Sequence, residues 1–71
     1  MKDISAIKLG IKIKHFRKKR GITQEKLAEL LPTSCKYLQR IEGKNPPDIR
    51  LSTLIKIAKA LKIKPETLLE D

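Results

Sequence analysis

The chain has no tryptophan, one phenylalanine, one tyrosine, one cysteine and one histidine, and its acidic residues are far outnumbered by basic ones. Each shortage excludes something. Cys35 alone permits no intrachain disulfide, and Cys35 with His15 cannot make a zinc site of the usual four-ligand kind. A reducing, cytoplasmic setting is expected. Two aromatics do not supply the stacking platforms that RNA-binding modules usually offer. No apolar run exceeds a few residues, and the N-terminus lacks the apolar stretch and cleavage site of a secretory signal, so neither a membrane span nor export is expected. No Ser-His-Asp or Cys-His constellation, glycine-rich phosphate loop or paired carboxylate site is legible. The expectation is therefore a protein that is not an enzyme and carries no cofactor.

What is present is positive charge and aliphatic periodicity. Seventeen Lys and Arg against eight Asp and Glu leave a formal charge of +9 on 71 residues. So strong a field calls for a polyanionic partner: nucleic acid first, with a membrane surface or an acidic protein answering to the same charge. A chain of this length closes one hydrophobic core. Leu and Ile dominate its apolar residues, and three Gly and four Pro are too few for a fibrous or disordered chain. The expected fold is all-α, a compact bundle of five short helices forming one domain over residues 1–71.

The first helix is expected from about Ser5 to Arg20, stopped by Gly21 and burying Leu9, Ile13 and Phe16. At 100° per residue Ile4, Ile7 and Ile11 fall on the opposite side. Either the chain bends back or frays around Gly10, or this second stripe packs on another copy. Thr23 is a good N-cap for a second helix reaching about Leu31, and Ser34 for a third from about Cys35 to Glu42, with Gly43 as its stop. Two short helices so close together outline a helix-turn-helix unit at about residues 23–42. The paired Pro46 and Pro47 make Lys44 to Arg50 a loop. A fourth helix then carries Leu51, Leu54, Ile57, Ala58 and Leu61, and a fifth starts at Pro65 with Leu68 and Leu69. On the third helix Leu38 and Ile41 point one way and Lys36, Gln39 and Arg40 the other. The latter are side chains of the types that reach base edges in a major groove: Lys and Arg donate to guanine, and Gln pairs with adenine.

The segment GITQEKLAELLPTSCKYLQRIEG, Gly21 to Gly43, resembles the helix-turn-helix of the phage-repressor (XRE) family, which includes the lambda and 434 repressors and Cro. Leu9-Gly10, Ile13, Phe16, Arg17, Thr23-Gln24-Glu25, Leu27-Ala28, Ser34, Tyr37-Leu38, Ile41-Glu42, Leu54, Ala58, Leu61, Ile63 and Leu68 carry the resemblance in order and spacing. It implies a lambda repressor-like domain that binds double-stranded DNA and regulates transcription. Lys36, Gln39, Arg40 and Cys35 would then meet bases, Cys35 alternatively being a small filler. Gln24, Ser34, Tyr37, Lys44, Asn45 and Arg50 would lie at phosphates, and Arg17 with Glu42 would form a partly buried structural ion pair. The sequence departs from the family at Pro32-Thr33, where relatives carry Gly and an apolar residue. Proline cannot take positive φ, so the turn is expected to use another backbone path, with a different angle between the second and third helices. One helix reads too few base pairs to find a genomic site, so a homodimer on an inverted repeat is expected, with the fifth helix (Leu68, Leu69) preferred over the Ile4, Ile7, Ile11 stripe as its contact. Repressor, antitoxin and restriction-modification controller share this domain and stay open, as does a toxin or polymerase partner; a small basic RNA-binding protein is the rival class.

Overall fold

Ser5, Thr23 and Ser34 each stand in extended backbone and accept a hydrogen bond from the amide three residues on, at 3.0 to 3.1 Å. Each such cap satisfies an amide that the first turn leaves without a carbonyl partner. In the computed structural model, which describes residues 5–69, these caps open α1 (Ala6–Lys19), α2 (Gln24–Leu30) and α3 (Cys35–Ile41). Two further helices follow, α4 (Leu51–Ala60) and α5 (Pro65–Leu69), and the described residues contain no strand. The fold is therefore an all-α bundle of five short helices.

Three helices end in the same way. The amide two residues past the C-cap donates back to a carbonyl five residues behind it: Ile22 to Arg17 at 3.3 Å, Thr33 to Ala28 at 3.0 Å and Ile63 to Ala58 at 3.0 Å. This Schellman closure needs a left-handed residue in between. Gly21 takes it at φ 76°, Lys62 at 58° and Pro32 at 24°. The turn between α2 and α3 thus keeps the closure that the proline was expected to prevent. Leu31 is buried on one side of this turn, and Ser34 caps α3 on the other. The substitution still removes a bond: Gly21 and Lys62 donate their own amides to Lys18 and Lys59, whereas proline has none to give.

Leu9 and Ile13 of α1, Leu27 of α2, Leu38 and Ile41 of α3, and Leu54 and Ile57 of α4 meet in one core, which Leu31, Leu61 and Leu68 complete. Full burial of each such side chain contributes roughly 1.5–3 kcal/mol against the entropy of ordering the chain.

α1 does not bend at Gly10; it runs unbroken from Ala6. Gly10 is instead the point where α1 meets the end of α3, since a methyl group built there would overlap the Ile41 carbonyl oxygen, with the carbonyl carbon 3.2 Å away. Ile7 and Ile11 are exposed on this continuous helix, and Ile4 lies outside the described residues. A second expectation is corrected at α5. Leu68 is fully buried in its own core and cannot serve as a contact for another copy, while its neighbour Leu69 is 44% exposed.

Candidate nucleic-acid interface

α3 presents Lys36, Gln39 and Arg40 to solvent, and each is exposed. The 3.6-residue period requires this once Leu38 and Ile41 are drawn into the core. Cys35, in the first turn, is half-buried against the core, and the Gln39 amide lies 3.9 Å from its Sγ. Tyr37 is half-buried on the flank, and the Ser34 hydroxyl is occupied in capping the Tyr37 amide at 3.1 Å. Lys44, Asn45 and Arg50 are exposed along the segment between α3 and α4.

Behind α3 lies a polar cluster built on Glu42, whose side chain is only 2% exposed. Arg17 Nε donates to Glu42 Oε2 at 2.8 Å and Arg17 Nη2 to Oε1 at 3.0 Å, a bidentate pairing of fork on carboxylate. Arg17 Nη1 donates to the Ile22 carbonyl at 2.8 Å, so the guanidinium also ties down the chain after α1. The hydrogen bond to Glu42 raises the Arg17 pKa above its ordinary value against the opposing effect of burial. A raised value for a cation means that this contribution is complete below the ordinary arginine pKa and is lost only as pH climbs beyond it.

The third donor to Glu42 is Gln24, whose amide reaches Oε1 at 3.0 Å. The side chain read from sequence as a phosphate contact therefore turns partly inward. One of its two amide hydrogens is committed to Glu42, and the other remains. Among the described residues no buried side-chain nitrogen or oxygen lacks a partner.

One feature of this surface escaped the reading of the sequence. α4 follows Arg50 as its N-cap residue with no side-chain cap, unlike the capped starts of α1, α2 and α3; like α1 and α3, it has no acidic residue in its first turn. The first amides of α4 thus have no side-chain cap, and free amides at a helix start are favourable to anions. The signal was available: no Ser, Thr, Asp or Asn stands at the residue before Leu51. No group of metal-ligating side chains occurs among the described residues, and none of their helices is long and apolar enough to cross a membrane.

A sequence profile described as "Helix-turn-helix domain" matches residues 10–70. No curated protein matches the chain. Among solved structures, the chain is similar to the restriction-modification controller protein C.AhdI from Aeromonas hydrophila, at 30% identity and a TM-score of 0.82, over 89% of this chain and 94% of that one. It is similar also to the hypothetical transcription factor NHTF from Neisseria, at 31% identity and a TM-score of 0.83, over 92% of this chain and 74% of the other. The clp gene regulator ClgR from C. glutamicum shares the fold at 24% identity and a TM-score of 0.83, over 97% of this chain and 88% of its own. With its outward-facing third helix, its matched span and these neighbours, the chain belongs to the helix-turn-helix domain family of the phage-repressor (XRE) type and is a DNA-binding regulator of transcription, not an enzyme.

Proposed function

We propose that residues 1–71 form a single DNA-binding domain, with its helix-turn-helix unit at about residues 23–42, that recognises a specific operator as a homodimer and represses transcription by occupying promoter DNA. The observation that carries this reading is the outward face of α3, where Lys36, Gln39 and Arg40 stand exposed with the core at their backs. In the proposed complex α3 enters the major groove. Lys36 and Arg40 donate to guanine O6 and N7, Gln39 pairs with an adenine, and Cys35 touches a thymine methyl group.

Phosphates flank this helix in the same reading. Ser34 and Tyr37 lie at its start, Lys44, Asn45 and Arg50 follow it, and the uncapped amides of α4 lie beyond. Gln24 joins them through its remaining amide hydrogen, held in place by Glu42. Such contacts fix register without reading sequence, and with a formal charge of +9 they make affinity fall steeply with salt. DNA binding and a solitary cysteine support a cytoplasmic, nucleoid-associated location.

The second copy covers Leu51, Ile55 and Leu69, three exposed aliphatic side chains on α4 and α5. Leu51 and Leu69 border a hollow floored by Leu9 and Leu54. This patch replaces the pair Leu68 and Leu69 as the contact. A second reading, the controller of a restriction-modification operon, is favoured by the likeness to C.AhdI, which carries that description and is nearly spanned by this chain.

Selection of bound duplexes from a random pool tests the proposal. It is expected to return an inverted repeat with half-site centres one helical turn apart, roughly 34 Å. Lys36→Ala or Arg40→Ala is expected to relax preference at one base pair per half-site, losing about 1–3 kcal/mol there. Unaltered base preference in both variants would remove α3 from the reading role.

A further inference from the structure

α4 carries two different margins. At 100° per residue Leu51 and Ile55 lie on one flank of its buried stripe and Thr53 and Ala60 on the other, with Ser52, Lys56 and Lys59 pointing outward between them. The first flank is the surface assigned above to a second copy. The other flank looks across to the end of α2. There Leu30, Leu31, Pro32 and Ala60 line a hollow of about 350 Å³, rimmed by Lys56 and Lys59. Leu30 is 48% exposed, although it sits next to two residues that close the core and the turn. None of the outward side chains of α3 borders this hollow.

The chemistry of the lining selects its occupant. Four apolar side chains in a concavity are best desolvated by a large aliphatic or aromatic side chain, which a DNA backbone does not possess. The rim carries two ammonium groups, and among the described residues the ion pairs join Arg17 to Glu42 and Lys26 to Glu29, leaving no described carboxylate on Lys56 or Lys59. A second copy is a poor fit, because it would bring lysine toward lysine between bodies that each carry +9. The complement is a segment with bulky apolar residues on one side and carboxylates beside them.

We propose that the hollow between α2 and α4 docks an acidic amphipathic segment of a partner protein. Its apolar residue seats against Leu30, Pro32 and Ala60, and its carboxylates face Lys56 and Lys59. Exposed ion pairs of this kind add little affinity individually but steer and orient the approach, so the apolar contact supplies most of the binding. Neither Lys36, Gln39 and Arg40 nor Leu51, Ile55 and Leu69 line the hollow, while Leu31, Pro32 and Lys56 also border a neighbouring concavity that holds Tyr37 and Arg50.

The test uses the whole chain and a synthetic helical peptide with two leucines four residues apart on one face and glutamates flanking them. Titration followed by amide chemical shifts is expected to move Leu30, Lys56, Lys59 and Ala60 most. Leu30→Ser, the pair Lys56→Glu with Lys59→Glu, and a peptide with both leucines changed to serine are each expected to weaken binding at least tenfold. Leu30→Ser is expected to keep its affinity for duplex DNA within twofold. The exposed lysines can be reversed without disturbing the core, so the charge variants stand even if Leu30→Ser lowers stability. The proposal is overturned if the serine peptide binds as well as the leucine peptide, or if the shifts centre on Ile7 and Ile11 or on α3. It is equally overturned if anionic phospholipid vesicles move the same amides more strongly than the peptide, or if these amides shift with the concentration of the protein alone.

Discussion

The two ends of α3 are held by different means. At the rear, the Ile41 carbonyl lies against Gly10, and Glu42 collects donors from Arg17 and Gln24 in a nearly dry setting. At the front, the helix follows a turn that lacks one hydrogen bond, passes through Pro32 at φ 24°, and is capped by one exposed hydroxyl. Close contact and charge fix the rear, whereas the front rests on the closure of the turn, the burial of Leu31 and one cap. The helix proposed to read DNA is thus anchored at its far end. Arg40 takes its position from the anchor, and Cys35 and Lys36 take theirs from the turn.

Breaking the anchor is expected to have the largest effect. Arg17→Ala or Glu42→Ala strands a buried opposite charge, which typically costs about 3–5 kcal/mol. Urea denaturation measures it, and a loss below about 1 kcal/mol would show that water screens the pair. Gly10→Ala comes next. In an open helix alanine would gain up to about 1 kcal/mol over glycine, but here its methyl group meets backbone, and a net loss of about 1–3 kcal/mol is expected in thermal unfolding.

The front should respond less. Ser34→Ala removes the cap for about 1 kcal/mol, and comparison with Thr23→Ala, which removes the equivalent cap from α2, would show whether the start of α3 has any support beyond its own hydroxyl. Pro32→Gly should raise stability by about 1 kcal/mol, since glycine accepts positive φ and restores an amide donor to the turn. A destabilised Pro32→Gly protein would mean that stiffness of the unfolded chain outweighs strain in the folded turn, and the contrast between the two ends would weaken.

Local signals were enough to place the helices. Thr23 and Ser34 cap, Gly21 stops α1, Pro65 starts α5, and the aliphatic period marks the buried sides. What stayed hidden depends on residues distant in the chain. Gly10 meets a carbonyl thirty-one positions later, and the Gln24 side chain turns toward a carboxylate eighteen residues away. Neither neighbour can be inferred from periodicity. Leu68 and Leu69 are adjacent leucines in one short helix, and only the packing of α5 on the other helices decides which is inside. At Pro32 the expectation from the proline ring differs from the structure, in which the closure between buried Leu31 and the start of α3 runs through a left-handed residue.

The division of labour between Leu68 and Leu69 reaches beyond α5. One side chain plugs the interior while its neighbour offers greasy surface to the outside, so one short helix serves both the core and the surface beside it. Where a second subunit covers that surface, mass action couples assembly to folding. Dilution would then lower the melting temperature, and the cell's supply of this protein would help determine how much of it remains folded.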